Sequence, residues 1–184
     1  MVKNALSYYN CIVQPGYLVF SHEPAFLCSV CGNGVVVIIW DKVRRIGGMT
    51  HCIFPKRRMR DKPSNYYADV AVTQLVAALT GKQCLAQNLE VQLFGGGSMR
   101  GWSAGRARAV VEMIRKILKK HRIDIVSEDI GGSVGRKVVF DTRSGDVVVI
   151  KTRRVRKSDW APEYIVNNHG DKTADARENQ GSDR

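Results

Sequence analysis

Residues 34–54 read GVVVIIWDKVRRIGGMTHCIF, and the reading of this stretch decides the fold. Val35 to Ile39 are all β-branched, side chains that are stiff at χ1 and pack well on a pleated surface. A run this uniformly apolar does not alternate, so it predicts a strand buried on both faces. Lys42 to Arg45 supply a charged turn, and IGGMTHCIF, 46–54, returns as the partner strand of a hairpin.

Working outward, residues 12–20 and 25–30 read as extended, punctuated by Pro15-Gly16 and His22-Glu23-Pro24. The basic segment 55–65 is expected to be a mobile loop. A helix is expected over about 67–79, where Val70, Val72, Leu75, Val76 and Leu79 fall near helical spacing. LEVQLF, 89–94, is a strand that ends in three glycines. A second helix over about 107–121 carries Val110, Val111, Ile114, Ile117 and Leu118 as its apolar stripe, and Lys119, Lys120 and Arg122 suit its C-terminal end. Strands follow at 123–128, 137–141 and 146–151, the last two forming a hairpin. Strands outnumber helices and mostly arrive as hairpins, so the class is α+β with mixed sheets in a single domain over 1–166. The remainder, 167–184, has no apolar residue larger than Ala and is expected to be a disordered polar tail.

The chain has 184 residues and a formal charge of +12. No apolar run reaches the ~18 residues a membrane span needs, the first residues lack a secretory core, and the expected location is the cytoplasm, without membrane insertion. Two basic clusters, PKRRMRDKP at 55–63 and KTRRVRK at 151–157, suit an acidic partner or a solvated face. No stacking aromatics or RNP motif accompany them, so nucleic acid is not an expected partner. FGGGSM, 94–99, and GGSVGRK, 131–137, follow strands but lack a dinucleotide or Walker pattern. They read instead as places where backbones approach closely.

Five cysteines at irregular spacing read as free thiols. Cys28 and Cys31, with His51 and Cys52, are a weak zinc pattern, and no metal or cofactor is expected. A Cys with a His near it in the fold points to thiol catalysis, since a His base can generate the nucleophilic thiolate.

Four stretches in order, GGMTHCIFP, SNYYADVAV, LEVQLFGGGSM and EDIGGSVGRKVVFDTRSGDVVV, resemble one family, the chemoreceptor glutamine deamidases of bacterial chemotaxis (CheD). The resemblance runs from about Val13 to Lys151. It implies an α/β sandwich similar to toxin-type glutamine deamidases, and a cysteine hydrolase that converts receptor glutamines to glutamate with release of ammonia. The implied partners are methyl-accepting chemoreceptors and a CheC-type chemotaxis phosphatase. The family's nucleophile stands in an LGSCV-type turn, seven residues before the Asp that ends the strand; here CGNGV occupies that turn and Gly34 the nucleophile position. His51 keeps the family's histidine position relative to Asp41, and Ser29 falls where the family has a hydroxyl residue that could orient it.

Glycine cannot form a thioester. Either Cys31 is a substitute nucleophile, brought to His51 by a rearranged Gly32-Asn33-Gly34 turn, or the chain has lost the chemistry and acts as a binding module. A three-residue displacement along an extended segment spans about 10 Å and reverses the facing. Cys31 also fits a small buried apolar slot, and His51 a structural histidine.

Overall fold

The computed structural model describes residues 9–98, 104–156 and 159; the polar tail expected over 167–184 lies outside them. Nine strands, two helices and one 3₁₀ turn follow in the order β1 (Tyr9–Ile12), β2 (Leu18–Ser21), β3 (Ala25–Cys31), β4 (Val35–Asp41), β5 (Ile46–Cys52), α1 (Ala68–Gly81), the turn Ala86–Asn88, β6 (Leu89–Gly95), α2 (Ala104–His121), β7 (Asp124–Ile130), β8 (Gly135–Asp141) and β9 (Val147–Thr152). The α+β class is the one expected.

The strands form two sheets, one of five strands in the order β2-β5-β4-β6-β7 and one of four in the order β1-β3-β8-β9. GVVVIIWD supplies β4 at the centre of the larger sheet, antiparallel to both β5 and β6. Its two faces serve different cores, as strand alternation requires. Val35, Val37 and Ile39 pack with α1 and α2 residues such as Leu75, Leu79, Val110 and Ile114. Val36 and Ile38 pack with Leu27, Met49, Val138 and Phe140 between the sheets. The molecule is thus three layers, with helices on the large sheet and the large sheet on the small one.

Three sequence expectations are refined. The extended stretch 12–20 is two strands, because Gly16 turns with φ +81° and sends β1 to the small sheet and β2 to the large one. Strand β7 is parallel to β6, as an α2 crossover between them demands. The basic loop after β5 is internally bonded: Asp69 accepts from Arg57 N–H at 3.0 Å, and Asp61 accepts from the Tyr67 hydroxyl at 3.0 Å and Arg58 N–H at 3.2 Å.

The two sheets are tied at both ends. At one end Trp40 Nε1 of the large sheet donates at 2.8 Å to the O of Thr142, whose Oγ1 accepts from Ala25 N–H within the small sheet at 2.9 Å. At the other, Arg136 of β8 reaches Asp129 of β7 at 2.7 Å, and also donates to Gly131 O at 2.9 Å and Val134 O at 3.1 Å. That second tie closes the end of the sandwich where His51 lies.

Candidate functional site

His51 is opposite Val36 on β5, so its ring shares the face that looks toward the small sheet. Ser29, on the inward face of β3 with Leu27 and Cys31, meets it there: Ser29 Oγ and His51 Nδ1 are 3.2 Å apart. Ser29 Oγ donates to Val13 O at 2.7 Å, which leaves its oxygen to accept from Nδ1–H. The network therefore assigns the proton to Nδ1 and the lone pair to Nε2. Both residues are 1% exposed, and burial pushes the His51 pKa down to about 3. The imidazole is neutral across the physiological range.

Nε2 is directed at Gly34. A Cβ built on Gly34 would have His51 Nε2 as its nearest neighbour, inside van der Waals contact, followed by Ile53 Cδ1 at 2.6 Å and Cys52 O at 2.9 Å. Position 34 therefore faces His51 from the strand-end turn, and the space a side chain would occupy is filled. Its lack of a side chain is what lets His51 and Ile53 pack as they do.

Cys31 lies in the core between the sheets with Leu27, Val36 and Phe94. Its thiol is directed to Phe94 O at 3.7 Å, and burial pushes its pKa up to about 12, outweighing the lowering by Arg136. Such a thiol is about 10⁻⁵ thiolate at pH 7. Burial likewise raises Cys28 to about 11 and Cys52 and Cys84 to about 12. The four residues weighed as zinc ligands do not converge: Cys28 and Cys31 are three apart on a strand and face opposite ways, and Cys52 belongs to the helix-side core.

The glycine loops enclose the same end. Gly96 N–H donates to Gly34 O at 2.8 Å, Gly97 N–H to Gly32 O at 2.9 Å, Ser98 N–H to Gly132 O at 2.9 Å and Gly131 N–H to Gly95 O at 2.8 Å. These amides are engaged in joining three turns, as the close-approach reading expects. A Cβ on Gly97 would lie 3.1 Å from Gly32 O. Two residues escaped the sequence reading. Arg136, buried at 2% exposure, pins the 129–136 turn; beside Lys137 at the start of β8 it carried no distinct signal. Ile53, filling the volume beside Gly34, carried no signal.

Comparison with known proteins gives the chain's family. The family described as CheD chemotactic sensory transduction matches residues 54–151, a stretch that begins just after His51. A protein named "Probable chemoreceptor glutamine deamidase CheD" from Pseudomonas savastanoi pv. phaseolicola is 32% identical over 147 residues, covering 75% of this chain and 82% of that protein. One of the same name from Sulfurimonas denitrificans is 28% identical over 148 residues, covering 78% and 95%. "Probable chemoreceptor glutamine deamidase CheD 1" from Anaeromyxobacter dehalogenans is 33% identical over 137 residues, covering 72% and 79%. The chain belongs to the CheD family.

Proposed function

We propose that this chain is a CheD-family chemotaxis protein that binds chemoreceptor segments without deamidating them. Deamidation by a cysteine hydrolase needs a thiolate to attack the carboxamide carbon. The bond to nitrogen then breaks, ammonia leaves with a proton returned by the base, and water hydrolyses the thioester. This chain keeps the base, His51, and the hydroxyl that orients it, Ser29. The observation that carries the proposal is that Nε2 faces a glycine whose side-chain volume is occupied by the imidazole and Ile53. The high pKa of Cys31, about 12, and its bond toward Phe94 O weigh against a substitute nucleophile.

The basic surface supports acidic partners, among which receptor helical bundles come first and a CheC-type phosphatase second. The test is intact-mass spectrometry of a chemoreceptor signalling domain after incubation with the protein, run beside a binding titration. Binding without glutamine-to-glutamate conversion above the no-protein control is the expected result. Conversion that Cys31→Ser abolishes would overturn the proposal in favour of a displaced nucleophile. Absence of binding at low ionic strength would overturn it altogether.

A further inference from the structure

Where the chain leaves β5, Phe54 and the basic loop help line an open cleft of about 470 Å³. Its floor is aromatic: the Phe54 and Tyr67 rings lie 5.6 Å apart, tilted by 35°. Its rim is cationic, with Lys56 and Arg58 on one side and Arg106 of α2 on the other, the Arg106 guanidinium 5.7 Å from the Phe54 ring centre. The one carboxylate in the lining, Asp61, is already bonded to Tyr67 Oη and Arg58 N–H. A second carboxylate, Asp69, holds Arg57 N–H from behind. The loop's acidic groups thus brace its backbone while its cations face outward. No ion pair among the described residues uses Lys56, Arg58, Arg60 or Lys62. Met59, between Arg58 and Arg60, is 98% exposed at the loop tip.

An aromatic floor with a cationic rim fits a carboxylate on an apolar stem better than it fits a neutral amide. In the chain, Phe54 of the cleft directly follows Ile53, which fills the space beside Gly34. We infer that this cleft binds glutamate side chains of a partner polypeptide, so that the protein distinguishes the glutamate form of a receptor segment from its glutamine form. The inference rests on the receptor-binding reading above. It makes the chain a reader of the charge state that its hydrolytic relatives are named for producing.

The measurement is a titration of the full chain with two synthetic peptides from a chemoreceptor modification helix, identical except that one carries two glutamines and the other two glutamates. At low ionic strength the glutamate peptide should bind tighter by about fivefold per carboxylate, the upper range for exposed ion pairs. The difference should shrink with added salt. Lys56→Glu combined with Arg58→Glu should remove the preference, whereas the charge-matched control Arg153→Glu with Arg154→Glu should keep it. Equal binding of the two peptides, or tighter binding of the glutamine form, would overturn the inference while leaving receptor binding intact. Equal damage from the two double variants would also overturn it, because overall charge and not the cleft would then carry the selectivity. Failure of both peptides to bind would overturn the receptor-binding reading and this inference together.

Discussion

Gly34 and His51 carry the functional argument between them, and each has a measurable consequence. A side chain at position 34 must displace His51 and Ile53 Cδ1, so Gly34→Cys should destabilise the chain by about 1–3 kcal/mol, the usual cost of overpacking a core. Ile53→Ala frees the contested volume. In urea unfolding the pair should therefore be coupled, the double variant being more stable than the sum of its parts by roughly 0.5 kcal/mol or more. Deamidation should return in Gly34→Cys/Ile53→Ala and stay absent in Gly34→Cys alone, scored by the same mass assay. Additive energies would show that the two side chains do not compete.

His51 has a pH signature. Burial holds its folded pKa near 3 against an ordinary 6.5, so below about pH 6.5 the unfolded chain takes up a proton that the folded chain refuses. Stability is whole above that pH and is lost as pH falls toward the folded value, by at most about 1.4 kcal/mol per pH unit. His51→Gln should flatten the part of this slope between about pH 6.5 and about pH 5, where carboxylates contribute little. An unchanged slope in urea midpoints would mean that His51 is not the group refusing the proton. The family resemblance made His51, Ser29 and Gly34 candidates, with His51 and Gly34 placed by their distance from Asp41. It could not reveal that Ile53 fills the gap or that Cys31 faces Phe94 O, because both depend on contacts between strands distant in the chain.

At the scale of elements, the β8–β9 turn illustrates how a local signal gains a tertiary meaning. Thr142-Arg143-Ser144-Gly145 was legible as a hairpin turn, and Gly145 has φ +82°. Its second role was not legible: a Cβ there would meet the Trp40 ring, with Cε3 at 2.6 Å. Trp40 belongs to the other sheet, so the turn is seated on it, and Trp40 Nε1 donates to Thr142 O. Gly145→Ala should therefore cost about 2–4 kcal/mol, combining the left-handed backbone penalty with displacement of the indole. A loss of only about 1 kcal/mol in equilibrium unfolding would indicate that the backbone term alone operates. Both helices were legible from their apolar stripes. The division of the strands between two sheets was not, because period-2 patterning says which residues share a face but not which strand lies alongside.

The whole molecule is a layered sandwich: the interior between the sheets holds the Ser29–His51 pair, while the 55–62 loop carries exposed cations such as Lys56 and Arg58. The fold does not depend on a side chain at position 34: Gly34 precedes β4, and the cores on either side of β4 are filled by other residues. Overall charge suited an acidic partner or a solvated face alike; how the basic loop is braced could be read only from the positions of Asp61 and Asp69.

The small sheet has a consequence for how the chain reaches this state. Its β3 strand lies between β1, close to it in sequence, and β8, whose contacts include a bond between residues 117 positions apart. On a ribosome, AFLCSVC emerges long before the strand that covers its far edge, whereas β4, β5 and α1 follow one another closely. The helix-backed sheet can assemble early from these neighbours. The small sheet closes only after the C-terminal hairpin has been synthesised, leaving an apolar strand waiting with one edge open during translation.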